Sequence, residues 1–205
     1  MMWLDERPLT ITNGDVRIEA QIHDGDSAIA AIVLHPHPQY GGDMDNRVVT
    51  AVASALAARG ATTIRFNFRG AGGSTGAYDG GHGEASYARA AVAAAQEAAP
   101  KAKLIVAGYS FGAMIAAAIA GDVAPAALIL ISPPVGLTPL AERTTDLPTL
   151  VIAGDRDQIA PTAAVLAMAA TNCRTMVVPG VDHSWWPGVE LLAGEIDSFL
   201  GSLRF

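Results

Sequence analysis

Residues 104–120 read LIVAGYSFGAMIAAAIA, and the order of residues in this stretch decides the architecture. Leu104–Ala107 is a short apolar run of strand type. Gly108-Tyr109-Ser110-Phe111-Gly112 interrupts it, and Phe111–Ala120 continues as a helix with Gly121 as its expected stop. A strand turning this sharply into a helix forces the middle residue into a strained backbone conformation and projects its side chain at the helix N-terminus. Glycine is needed on either side because strand and helix backbones nearly touch there. Ser110 is thus a candidate nucleophile, and the Phe111 N–H and the helix dipole can face a developing oxyanion. With 21 glycines in the chain, a G-x-S-x-G pattern alone says little. The bland alternative is a Gly-Ser turn that merely connects two elements. The strand before it and the helix after it are what give the pattern meaning.

Working outward, Leu9–Thr12 and Val16–His23 flank Asn13-Gly14, a hairpin signal. Ala28–Leu34, Ala61–Asn67, Ala126–Ile131, Thr149–Ala153 and Thr175–Val178 read as further strands. Helices are expected over Asn46–Arg59, where Val48, Val52 and Leu56 share one face, and over Gly83–Ala98, Thr162–Ala170 and Val189–Leu203. Apolar strands alternating with helices predict an α/β protein: a mostly parallel sheet covered on both faces and led by an antiparallel edge hairpin. Ligands of such sheets sit beyond the C-terminal strand ends. Residues that directly follow strands are therefore the ones to inspect.

The 205 residues are read as a single domain, 1–205, with no repeat or linker. Apolar residues make up 51% and charged residues 16%, which suits strands buried on both faces. The formal charge of −7 argues against nucleic acid or an anionic membrane as partner. The single cysteine, Cys173, allows no internal disulfide and reads as a structural thiol. Asp5, Glu6 and Pro8 stand where a signal peptide needs apolar residues, and no run approaches a membrane span, so a cytoplasmic location is expected.

A serine hydroxyl needs a base, and the base needs an orienting carboxylate, expected in the order Ser, Asp or Glu, His. Gly154-Asp155-Arg156-Asp157 follows the strand Thr149–Ala153, and Asp182-His183 follows Thr175–Val178. His183 is the candidate base. Asp155 and Asp157 both stand as candidates for the acid, while Asp182 adjoins the histidine in sequence and is expected to diverge from it. Trp185 and Trp186 are candidates, with Tyr109, for contact with substrate, or else for burial under the last helix.

His35-Pro36-His37-Pro38-Gln39-Tyr40 lies where a second oxyanion N–H is expected. Neither proline can supply it. His37 is the first candidate and Tyr40 the second. Two histidines at i, i+2 raise a metal, but the intervening proline and the want of a third ligand count against one. Rigid backbone hydrogen bonding by these imidazoles is the plainer reading. Arg69, in the loop after Ala61–Asn67, is expected to pin the site loops rather than touch substrate.

Taken together, LHPHPQYGGDMDNRVV (34–49), RFNFRGAGGSTG (65–76) and AGYSFGA (107–113) resemble the α/β-hydrolase superfamily. More narrowly they resemble small lidless bacterial serine hydrolases related to the dienelactone-hydrolase branch. The likeness runs from about Ile29 to Leu200. It implies a core sheet of about eight strands and a triad of Ser110, Asp157 and His183. The pattern G-x-x-D-x-I-x-P over Gly154–Pro161 is what selects Asp157. Dienelactone hydrolases carry a cysteine nucleophile where this chain has Ser110. Carboxylic-ester hydrolysis is therefore the expectation that transfers.

Relatives often insert a cap between the strands corresponding to Ala126–Ile131 and Thr149–Ala153. Here residues 132–148 intervene, and they read as a loop with at most a turn of helix, which leaves the site open. A small-molecule ester substrate, no cofactor and no metal follow from this reading, which leaves room for a homodimer. Thioester or amide hydrolysis by the same triad, and a non-catalytic binding domain on the same fold, are the rival readings.

Overall fold

The computed structural model describes residues 5–137 and 147–203. The hairpin expected around Asn13-Gly14 forms as β1 (Arg7–Asn13) and β2 (Val16–His23). Then follow β3 (Ile29–Leu34), α1 (Arg47–Ala57), β4 (Thr62–Phe66), α2 (His82–Ala98), β5 (Lys103–Tyr109), α3 (Phe111–Val123) and β6 (Ala127–Ile131). After the stretch 132–148 come β7 (Thr149–Gly154), α4 (Thr162–Leu166), β8 (Cys173–Val178) and α5 (Leu192–Ser202). The strands lie in one eight-stranded sheet among the described residues, ordered β1-β2-β4-β3-β5-β6-β7-β8. β1 and β2 pair antiparallel with their neighbours, and β4 to β8 run parallel.

Both faces of the inner parallel strands β3, β6 and β7 are buried, which explains their continuous apolar runs. In β3, Ala30, Ile32 and Leu34 join α2 and α3 in one core, while Ala31 and Val33 join α1 and α5 in the other. β5 splits the same way, with Val106 on the first face and Ile105, Ala107 and Tyr109 on the second. The sheet order reverses at β3, because the chain goes from β3 to β4 on one side and crosses back to β5 on the other. The crevice at such a switch point is where open α/β sheets take ligands. The loop after β3 and the elbow after β5 both open into it.

Beyond shifts of one or two residues at other ends, several boundaries differ from expectation for a visible reason. β5 continues through Gly108 to Tyr109, because its ladder with β6 extends to the pair Tyr109–Ile131. α3 passes through Gly121 and ends at Val123, where Ala124 with its φ of 44° makes the left-handed stop. The helix expected over Thr162–Ala170 stops at Leu166 as an α-helix, since Ala170 pairs with Cys173 to turn the chain into β8. The last helix begins as a 3₁₀ turn, Val189–Leu191. Of the expected loop 132–148, residues 138–146 lie outside the described residues. Seventeen positions are too few for a cap domain. No described helix is long and apolar enough to cross a membrane.

Candidate active site

Ser110 sits between β5 and α3 with φ 54° and ψ −118°, the strained turn expected for a nucleophile elbow. Its N–H still donates to the Ile131 carbonyl, and its own carbonyl accepts from Ala113 and Met114, so the strain is pinned on both sides. The flanking glycines are required by contact. A Cβ on Gly108 would lie 2.3 Å from the Gly112 carbonyl oxygen. One on Gly112 would lie 2.3 Å from the Leu34 carbonyl oxygen and 2.6 Å from that of His35. The elbow is thereby pressed against the end of β3, and the loop that begins at His35 borders Ser110.

The hydroxyl of Ser110 lies 2.9 Å from His183 Nε2. His183 Nδ1 lies 2.9 Å from Asp157 Oδ2 and 3.0 Å from Oδ1. Asp157 is fully buried in its side chain, and Oδ1 also accepts the N–H groups of Ile159 (2.9 Å) and Ala160 (2.8 Å). Burial pushes the Asp157 carboxyl up. The hydrogen bonds from His183, Ala160 and Ser132 outweigh it and hold the group below the usual carboxylate range. It is therefore an anion aimed at the imidazole.

Asp155 does not enter this array. Its Oδ1 accepts from Gly180 N–H at 2.7 Å, which ties the loop after β7 to the turn after β8. Asp182 turns away as well, accepting from the backbone N–H and hydroxyl of Ser184. The loops after β7 and β8 are further knit where Arg156 N–H donates to the Val181 carbonyl.

In the loop after β3, His35 is fully buried. Nδ1 donates to the Pro36 carbonyl (2.6 Å) and Nε2 accepts from Phe68 N–H (2.9 Å). Burial lowers its pKa to about 4, so the ring is neutral, and neither nitrogen is left for a metal. Among the described residues no group of three or more His, Cys, Asp or Glu is placed to hold a metal ion. His37 caps the 3₁₀ turn Pro38–Tyr40, with Nδ1 accepting from Gln39 N–H. Its ring packs against Tyr40, Tyr78 and Phe111. Arg69 pairs with Asp79, which also accepts Gly83 N–H at the start of α2, so it pins a loop as expected.

Three sequence candidates are corrected. Tyr40 cannot lend its N–H to an oxyanion, because that N–H donates to the His37 carbonyl at 3.1 Å. Tyr109 does not face a substrate: it is buried, and its hydroxyl donates to the His183 carbonyl. Trp185 is 0% exposed and packs in the core between the sheet, α1 and α5, whereas Trp186 is 69% exposed beneath the Arg47 guanidinium. Phe111 opens α3, so its N–H has no intrahelical acceptor.

Ser132 was missed. It directly follows β6, has φ 44°, is fully buried, and its Oγ accepts from Trp185 Nε1 at 2.9 Å. Its signal was a serine placed after β6 as Ser110 is placed after β5, yet it read only as the start of a loop.

The fold agrees with that of known proteins. A family model described as alpha/beta hydrolase domain matches residues 30–191, and the chain belongs to that family. An alpha-beta serine hydrolase homologue from Coxiella burnetii superposes with a TM-score of 0.88 at 32% identity, covering 98% of this chain and 99% of that one. A lidless α/β serine hydrolase from Xanthomonas campestris gives a TM-score of 0.88 at 30% identity, covering 98% and 96%. An uncharacterized protein of Rickettsia prowazekii is 47% identical over 91 residues, which are 44% of this chain and 38% of that protein. The chain thus matches well under two thirds of that relative's length.

Proposed function

We propose that the chain is a serine hydrolase that cleaves short-chain carboxylic esters through an acyl-enzyme on Ser110. The observation that carries this reading is the continuous array from Ser110 Oγ through His183 to Asp157, with both links at 2.9 Å. Membership of the alpha/beta hydrolase family and similarity to serine hydrolases support the reaction class.

His183 Nε2 takes the Ser110 proton as Oγ attacks the ester carbonyl carbon, and Asp157 stabilises the imidazolium. The carbonyl oxygen becomes the oxyanion. The N–H groups of Phe111 and His37 are the proposed donors, since one starts α3 and the other lies in the loop pressed against the elbow. Collapse of this intermediate breaks the bond to the alcohol, which leaves with the proton from His183. Water, deprotonated by the same imidazole, then attacks the acyl carbon, and collapse of this second intermediate breaks the bond to Ser110 Oγ, which takes the proton back from His183 as the acid leaves. The short stretch between β6 and β7 adds no cap, which favours small soluble esters over long acyl chains.

The test is hydrolysis of p-nitrophenyl acetate, butyrate and octanoate by the wild type and by Ser110→Ala. The wild type is expected to prefer acetate and butyrate. Ser110→Ala is expected to lose about 10³-fold or more in kcat/KM. Wild-type turnover equal to that of Ser110→Ala would refute the proposal.

A further inference from the structure

Tyr40 is 87% exposed, the most of any large apolar side chain among the described residues, and it belongs to the loop after β3 that borders the elbow. Its ring is part of a cluster. The His37 centroid lies 4.9 Å from that of Tyr40, 4.6 Å from that of Tyr78 and 4.8 Å from that of Phe111, at tilts between 47° and 55°. Tyr78 in turn lies 5.9 Å from Phe111. Phe111 directly follows Ser110 and is buried, whereas His37 and Tyr78 are half-buried. The rings thus run from the neighbour of the nucleophile, in the core, to Tyr40 at the surface.

Sheet order fixes the flank on which they lie. His37 and Tyr40 follow β3 and Tyr78 follows β4, on one side of β5, whereas Asp157 and His183 follow β7 and β8 on the other. In acyl transfer the alcohol leaves toward His183, which protonates it. A group laid over the opposite flank therefore belongs to the acid half of the ester. The rings offer no cation to hold an anionic group there. His37 Nδ1 accepts from Gln39 N–H, and burial lowers its pKa, so this ring is neutral. Arg69, in the loop that carries Tyr78, is committed to Asp79. Rings tilted against one another present faces and edges to a further ring, which binds edge-to-face or offset at centroid distances of about 4.5–7 Å. A saturated group of the same size gains the burial without that contact.

We infer that Tyr40, His37 and Tyr78 form an aryl subsite, and that the esters this chain selects carry a short acid ending in an aromatic ring, such as a 3-phenylpropanoyl group. Tyr40 is the specificity-determining residue. Its ring meets only His37 among the described aromatic rings, and its exposure lets it be replaced without disturbing the core. The inference rests on the ester reading above and names the acid half of the substrate.

The test compares methyl 3-phenylpropanoate with methyl 3-cyclohexylpropanoate, with acid release followed in a pH-stat. The methyl leaving group makes the ring under test the only one in the substrate. Cyclohexyl is the more hydrophobic of the two, so burial alone favours it. The wild type is expected to favour the phenyl ester about fivefold in kcat/KM. Tyr40→Phe is expected to keep that ratio, and Tyr40→Leu to bring it to about one. The mirrored pair, 2-phenylethyl acetate and 2-cyclohexylethyl acetate, puts the ring in the alcohol and is expected to be cleaved alike within about twofold. Binding without turnover is read by ligand-observed NMR, with the two methyl esters titrated into Ser110→Ala with and without Tyr40→Leu. The phenyl ester is expected to bind about fivefold more tightly, and only where Tyr40 is present.

Equal kcat/KM for the two methyl esters in the wild type would overturn the inference. So would a phenyl preference that survives Tyr40→Leu, or one confined to the alcohol pair. A wild type that cleaves no ester, while Ser110→Ala binds the phenyl ester preferentially through Tyr40, would refute the ester reading and leave the aryl subsite standing. Ester cleavage with no ring preference would do the reverse, and neither cleavage nor preferential binding would overturn both.

Discussion

Ser110 reaches its place through five consecutive residues, whereas Asp157 and His183 reach theirs through the ends of two strands, β7 and β8. On the nucleophile side, one strained turn flanked by Gly108 and Gly112 sets the geometry, and backbone contacts with β3 hold it. On the acid–base side, side chains do the holding. Tyr109 fastens the His183 carbonyl, Asp155 fastens Gly180, and Trp185 fastens Ser132. Local backbone conformation specifies the first region and tertiary contact the second. The first is therefore written in a short stretch of sequence, and the second becomes visible only once the strands are assembled.

Beside the loss expected of Ser110→Ala, a large effect is expected on the second region. Asp157→Asn removes the anion facing His183 and favours the wrong tautomer, and kcat/KM is expected to fall by about 10²–10⁴-fold. Asp155→Asn keeps an acceptor for Gly180 N–H and is expected to stay within about tenfold of wild type. Ester hydrolysis by the two variants side by side checks this. Similar losses in both would mean that the acid–base side does not rest on one carboxylate.

A smaller effect belongs to the nucleophile side, at the seam where His35 joins the loop after β3 to Phe68. Its folded pKa is lowered to about 4 by burial, while an unfolded histidine titrates near ~6.5. The unfolded chain thus binds more protons between these values. The contribution to stability is complete above about pH 6.5 and is lost as pH falls toward 4. The loss amounts to about 3 kcal/mol. Urea unfolding at several pH values is expected to show this slope in the wild type, and His35→Gln is expected to flatten it. An equal slope in both would remove His35 as the acid-sensitive point of the seam.

Much of the fold was legible because its signals are local. Strand after strand is continuously apolar, and the hairpin at Asn13-Gly14 marks the antiparallel edge. The elbow was legible for the same reason. The order of acid and base was also legible, but the choice between Asp155 and Asp157 was not. Two carboxylates two residues apart look alike until Ile159 and Ala160 turn their N–H groups toward one of them, and only the likeness of Gly154–Pro161 to a family pattern pointed to Asp157. Tyr40 was misplaced because Pro38, rightly excluded as a donor, opens a 3₁₀ turn that draws the Tyr40 N–H inward. Trp185 and Trp186 are neighbours with opposite fates, and nothing in the pair itself says which one is buried. Ser132 escaped notice because its partners come from β7 and the loop after β8.

The central claim is that the elbow presents an activated nucleophile. Intact-mass spectrometry after treatment with a fluorophosphonate, followed by peptide mapping, tests it most directly. A single adduct located on Ser110, absent from Ser110→Ala and strongly slowed in Asp157→Asn, is the predicted result. A wild-type protein that takes no adduct, or takes it on another residue, would contradict the account.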